Sequence, residues 1–232
     1  MNEYNYNNSF SPSSSVTSSK GLAKVFGFMF LGLLVTAGIS YGVLFLLSKG
    51  IVTPENYLTS LIISSIAIIV MSFVVHFNAL RDNKTAAIVC YFIYTVLWGI
   101  LLSILMIAYE LITLGLAFLC TSGTFGVMAL YAYFTKRETY TLGMFGTGLL
   151  FGVITLSLVN IFLQSDTLAW VITYVSLFAM YLITIYDVKR AKFMADTGNM
   201  TTGLAIYFAL NLYVDFIYIF IRLVAIIGNS RR

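Results

Sequence analysis

The chain carries very little charge. Only 9% of its 232 residues are Asp, Glu, Lys or Arg while 60% are hydrophobic, and it has two prolines, two cysteines and one histidine. That balance excludes an ordinary soluble domain, in which roughly a quarter of the residues are charged. Cys90 and Cys120 both fall inside apolar stretches, so they read as small packing residues rather than as a disulfide or metal site. The formal net charge of +4 is small and scattered, and it gives no reason to expect a nucleic-acid partner.

What the chain has in abundance is long uncharged runs. Segments free of Asp, Glu, Lys and Arg cover 25–48, 56–80, 85–109, 111–135, 139–165 and 167–186, and a seventh, 203–228, is interrupted only by Asp215 and Arg222. Each holds the roughly 20 residues a helix needs to cross a hydrocarbon core. The runs are continuous rather than alternating, which excludes a β-barrel. The sequence therefore predicts an all-α integral membrane protein, with one seven-helix domain over 20–232 and short connections that leave no room for a second folded unit. The first run is too long for a signal-peptide core and no small-residue cleavage site follows it, so a retained helix is expected. Residues 1–19, rich in Asn and Ser, are expected to be a disordered tail.

Lysine and arginine fall asymmetrically. With the N-terminus inside, the cytoplasmic face collects Lys20, Lys24, Arg81, Lys84, Lys136, Arg137, Lys189, Arg190 and Lys192, against Lys49, Arg231 and Arg232 outside. The bias predicts a cytoplasmic N-terminus and, with seven spans, a C-terminus outside. Several tyrosines near run ends (Tyr57, Tyr109, Tyr133, Tyr140) fit interfacial anchoring. Gly38-x-x-x-Gly42 and Gly148-x-x-x-Gly152 have the spacing that lets membrane helices approach closely.

Two carboxylates break the pattern: Asp187 at the end of the sixth run and Asp215 in the middle of the seventh. An ionisable group inside a bilayer costs several kcal/mol and by default marks an ion path, a proton relay or a switch. Asn211, Asp215, Tyr218 and Arg222, at spacings of four, three and four, form one polar stripe on the last helix, and Thr184 and Asp187 share a face of the sixth. Asp187 also lies near the expected C-terminus of its helix, where the macrodipole disfavours a carboxylate. If helices six and seven pack together, the two carboxyls can approach, and two that meet cannot comfortably both ionise, so they would share one proton. Depth is the difficulty. Asp215 lies twelve residues from Gly203, roughly 18 Å along a helix, so a meeting requires helix six to extend past Asp187 or helix seven to start deep. His76, near the cytoplasmic end of helix two, is able to sense pH, although a lone interfacial histidine is usually just solvated.

Several membrane chemistries are absent. A retinal protein needs a lysine in a late span, and the seventh run has none. The chain lacks the GxSG-like serine and paired membrane histidine of a rhomboid-type protease. An aspartyl intramembrane protease joins YD to GxGD; Tyr186-Asp187 matches the first, but Leu212-Tyr213-Val214-Asp215 does not match the second. No enzymatic activity is expected.

The segment Ile185-Tyr186-Asp187-Val188-Lys189-Arg190, with Leu212-Tyr213-Val214-Asp215-Phe216 downstream in a seven-span frame, resembles the signature of the Bax inhibitor family, over about residues 20–228. The resemblance implies a last helix surrounded by the other six and a pH-sensitive calcium leak. Asp187 and Asp215 would be the sensor and a weak, transient calcium site. Arg81 is the implied latch onto the helix-six aspartate, with Lys84 the alternative, and calcium and protons would be the passing ions, with no resident cofactor. No acidic residue falls within the run of helix two, so no ion-binding role is carried over there. The other reading is a membrane regulator that binds another membrane protein, such as a cell-death or membrane-protease modulator. Short loops and the lack of a eukaryotic sorting signal point to a bacterial inner membrane.

The charge asymmetry can be checked directly. In intact cells, single cysteines placed at Asp82 or Lys192 should resist a membrane-impermeant thiol reagent until the membrane is opened; labelling from outside would overturn the orientation.

Overall fold

The computed structural model describes residues 12–81 and 83–230, with residues 12–18 given by their backbone alone. Over these residues the chain forms seven α-helices: α1 Pro12–Ser48, α2 Pro54–Leu80, α3 Lys84–Ala108, α4 Leu111–Phe134, α5 Tyr140–Leu163, α6 Asp166–Asp196 and α7 Thr202–Asn229. All seven are long and apolar enough to cross a membrane, as the composition predicts. The start of α1 and the α2–α3, α4–α5 and α6–α7 connections share one end of the bundle, called below the basic end.

Helix starts coincide with residues that can satisfy free N–H groups. Thr53, Asn83, Ser165 and Thr201 accept from the backbone N–H of Asn56, Ala86, Leu168 and Leu204, opening α2, α3, α6 and α7. The C-terminus of α4 is closed from outside: the Lys189 and Lys192 ammonium groups on α6 donate to the carbonyls of Thr135 and Tyr133.

Three boundaries differ from the sequence-based expectation. The helix of α1 begins at Pro12, a residue suited to a first turn, so positions 12–19 are helical rather than tail; residues 1–11 lie outside the described residues, as do Asp82, Arg231 and Arg232. Glu55 stands in the first turn of α2, so helix two does carry an acid, at the end opposite Arg81. Finally, α6 runs nine residues beyond Asp187, because Val188, Ala191 and Ala195 give that stretch an apolar face to bury. The region around Lys192 is thus helix, and Asp187 is too far from the α6 terminus for the macrodipole to act on it, since that effect fades within a turn.

The last helix is the axis of the bundle. It contributes fourteen buried residues, against three from α5, and packs against α1, α2, α3, α4 and α6. The principal contact of α5 is α6, so α5 reaches the axis through that helix. The seams carry hydroxyl bonds. Ser40 donates to Gly99 O (2.7 Å) and Thr36 to Thr95 O (3.0 Å), joining α1 to α3. Since the Thr36 hydrogen is committed there, the Tyr213 hydroxyl is the donor in its 2.6 Å contact with Thr36, which ties α7 to α1. Tyr57 is also a seam residue rather than an anchor: it is buried, with its hydroxyl 3.1 Å from Ser103 Oγ. Cys90 is half-buried and Cys120 is exposed, so only the former packs.

Close helix approach occurs at glycines other than those in the two spaced pairs. Around Gly38, Gly42, Gly148 and Gly152 a Cβ would meet nothing within 4 Å. At Gly99 it would stand 2.6 Å from Ile39 Cβ and 3.0 Å from Thr36 O, and at Gly146 it would stand 2.9 Å from Ala179 O. Backbone atoms cannot swing aside as a side-chain tip can. Gly99→Leu should therefore destabilise the bundle by about 1–3 kcal/mol or more, read as a lower thermal midpoint in detergent, whereas Gly148→Leu should leave it near wild type; equal effects would show that the α1–α3 approach does not matter.

Candidate functional site

The exceptional carboxylate lies on the axial helix. Asp215 is 4% exposed, and its Oδ2 is buried with no hydrogen-bond partner. The helix cannot turn it outward, because Leu212, Tyr213, Phe216, Ile217 and Ile219 around it are all buried. Thr184 on α6, itself fully buried, lies within hydrogen-bonding reach of the Asp215 carboxyl. The Thr184 hydroxyl donates to Met180 O at 2.8 Å.

Asp187 follows Thr184 by three residues and is half-buried. It stands close enough to Asp215 for the two charges to act on each other. The extension of α6 removes the difficulty of depth. Asp187 is nine residues from the end of α6 at Asp196 and Asp215 thirteen from the start of α7 at Thr202, roughly 14 and 20 Å from the basic end. About one helical turn separates the two levels, a gap that tilted side chains can span. The adjacent Tyr186 ring is set by α5, where a Cβ on Gly143 would stand only 2.5 Å from Tyr186 Cγ.

The polar stripe of α7 does not act as a unit. Arg222 donates to the Tyr218 hydroxyl at 2.8 Å and lies 5.0 Å from that ring, so these two satisfy each other and leave Asp215 to α6. Asn211 turns to α2, where its Oδ1 is 3.2 Å from His76 Nε2. Arg81 is exposed at the end of α2, with its guanidinium 3.9 Å over the Phe77 ring. Lys84 is exposed at the start of α3. The cation whose charge acts on Asp187 is Arg190, one turn further along α6, which also lies 5.6 Å from Tyr207 and 5.8 Å from Phe208.

Three residues thus join the site that sequence reading had set aside or passed over: His76, Arg190 and Tyr207. Tyr207 was legible in principle, since it lies four residues before Asn211 and extends the polar stripe by one turn. Among the described residues no group of three or more His, Cys, Asp or Glu could hold a metal ion, so a tight calcium cage of six to eight oxygens is not formed by acidic side chains here. Two clefts lie away from this site. One of about 450 Å³ at the opposite end is lined by Tyr109, Asp166, Thr173 and Asn229, and an apolar one of about 310 Å³ lies among α1, α3, α4 and α7.

Comparison with known proteins finds relatives over nearly the whole chain. The family described as inhibitor of apoptosis-promoting Bax1 matches residues 18–232. The inner membrane protein YbhL of Escherichia coli K12 is 33% identical, over 90% of this chain and 92% of its own length. An uncharacterised membrane protein of Streptococcus pyogenes serotype M1 is 30% identical, over 94% of this chain and 96% of its own. An uncharacterised protein of Borreliella burgdorferi is 31% identical, over 92% and 93%. With seven membrane-spanning helices and the YD and LY-x-DF elements brought together beside its axis, the chain is a membrane protein that belongs to the Bax inhibitor family.

Proposed function

We propose that this protein is a pH-sensitive cation leak of a bacterial inner membrane, with calcium as the passing ion and Asp187 and Asp215 as the proton-sharing gate. One observation carries the reading: Asp215 is buried at the axis with an unpartnered carboxylate oxygen, beside a second carboxylate on α6. A buried carboxylate without hydrogen-bond partners is costly, and a like charge next to it adds to that cost. A proton or a cation relieves both, and the two compete for one place. With one proton the pair bears a single negative charge and the bundle stays closed over Asp215; without it the second charge must be met by a cation or by separation of α6 from α7.

The two ends of α7 support a path. Toward the basic end, roughly 14 Å in, Asp187 is half-buried rather than sealed, and at the other end Asp166 and Asn229 line an open polar cleft. The lysine and arginine bias supports a cytoplasmic basic end, and the E. coli relative is an inner membrane protein. The site supplies few oxygens, which suits a weak and transient ion rather than a stored one. Arg81 serves as the latch in this scheme: freed from Phe77, it is the end-of-helix cation able to swing toward Asp187, where Arg190 already acts.

Purified protein in liposomes loaded with a calcium reporter tests the reading. Wild type should pass calcium with a marked pH dependence, and Asp215→Asn, which keeps the shape but removes one charge, should flatten that profile. An unchanged profile in Asp215→Asn would sink the gate assignment, and absence of flux at every pH would favour a regulator that binds another membrane protein.

The latch is tested separately. Arg81→Ala should raise the basal leak while the pH dependence survives in part. If Arg190→Gln raises it and Arg81→Ala does not, the closing cation is the one already beside Asp187.

A further inference from the structure

The cleft of about 450 Å³ at the end opposite the basic one is built from three helix ends. The start of α6 supplies Asp166, Trp170 and Thr173, whose spacings of four and three put a carboxylate, an indole and a hydroxyl along one face. The end of α7 supplies Ala225 and Asn229, one turn apart, and Tyr109 closes the end of α3. Nothing in this group takes part in the aspartate pair.

The frame of the cleft is held in place. The Ser165 N–H donates to Asn160 Oδ1 at 3.1 Å and Ser165 Oγ accepts from the Leu168 N–H, so the start of α6 is tied to the end of α5. Both aromatic rings are backed from outside. Trp170 stacks on Tyr174, which does not line the cleft, with centroids 5.7 Å apart and planes 23° from parallel. A Cβ on Gly228 would run into the Tyr109 ring, so the glycine is what lets α7 lie against it. Ala169 and Ala225, the small residues of the lining, leave the space between these walls.

The chemistry of the lining selects a cation. Its one formal charge is the Asp166 carboxylate, no lysine or arginine stands beside it, and an aromatic face presents the negative side of its quadrupole. A bare metal ion is a poor match. Calcium takes about six to eight oxygens, and these side chains offer far fewer around a space that falls within the roughly 300–1,000 Å³ of small-molecule sites. A cation with a hydrocarbon surface fits better, because its charge can face the carboxylate while its methyl or methylene groups lie on the rings. We propose that this cleft binds an alkylammonium group, with Asp166 as its counter-ion and the Trp170 and Tyr109 rings as its walls. At the membrane surface that group comes either from a free amine in the water or from the headgroup of a lipid such as phosphatidylethanolamine.

The chain has two tryptophans, so Trp98→Phe leaves Trp170 as its one indole. In nanodiscs of phosphatidylglycerol, whose headgroup has no amine, tetramethylammonium chloride should change the Trp170 emission saturably, and sodium chloride at the same ionic strength should not. Asp166→Asn, which keeps the size of the side chain, should raise the half-saturating concentration by roughly tenfold, as expected on losing one interaction between charged partners. If Trp98→Phe does not fold, the difference between wild type and Trp170→Phe carries the same signal. Adding phosphatidylethanolamine to the nanodisc separates the two sources: competition with tetramethylammonium assigns the site to the lipid headgroup, and an unchanged titration assigns it to a free amine. Emission indifferent to tetramethylammonium, or a response of equal strength in Asp166→Asn, would overturn the proposal and leave Trp170 as an interfacial anchor. The site stands without the leak. Only block of calcium flux by tetramethylammonium rests on the reading of this cleft as a mouth of the path, so binding without block would count against the mouth and not against the site.

Discussion

Hydrocarbon offers no hydrogen bonds, so a polar group on a membrane helix must find its partner within the protein, on its own helix or on another. In this protein that constraint falls on α7, the helix that combines the deepest burial with the polar residues Asn211, Asp215, Tyr218 and Arg222. The five helices packed on this one, α1, α2, α3, α4 and α6, solve the problem locally. Asn211 is met by His76 on α2 and Asp215 by Thr184 and Asp187 on α6, while Tyr218 and Arg222 meet each other. The Tyr213 hydroxyl is met by Thr36 on α1.

Among the polar residues of α7 the incomplete solution is Asp215, whose Oδ2 has no partner. Native structures leave few buried polar atoms unsatisfied, and those that remain tend to mark a functional place. The contrast with Arg222 is instructive. A guanidinium on the same helix donates to the tyrosine one turn away, at 2.8 Å to its hydroxyl, whereas the Asp215 carboxyl has a second carboxyl, Asp187, beside it. A bundle selected only for stability would more readily replace that pair by apolar side chains of similar volume. The surrounding packing also holds the pair in place. Gly143 and Gly146 let α5 press on α6 at Tyr186 and Ile183, one residue and one turn from Asp187, so the outer helix buttresses the acid although it packs mainly away from the axis.

Much of this architecture was legible in the sequence, for physical reasons. Six uncharged runs, a seventh broken only by Asp215 and Arg222, and the lysine and arginine bias follow from the cost of charge in lipid, against which two acids in apolar helices stand out, and none of this needs knowledge of packing. The YD and LY-x-DF elements carried the family. Spacing by itself misplaced the close contacts. The Gly-x-x-x-Gly pairs face open space, and Gly99, Gly143 and Gly146 make the tight approaches, because contact depends on which face a neighbouring helix covers.

What only the tertiary structure decided was pairing. Composition shows that His76 and Asn211 are polar and lie in different helices, yet nothing along the chain says that 135 residues of separation close to 3.2 Å. The sequence likewise placed Asp187 at a helix end, where its depth did not match that of Asp215. The buried face of Val188, Ala191 and Ala195 carried α6 on to Asp196 and brought the levels within about a turn. Periodicity and charge determine that helices form and that they cross lipid, since both are local properties. Which carboxylate meets which partner depends on helix length, rotation and tilt, and those are set by side chains interlocking across the bundle.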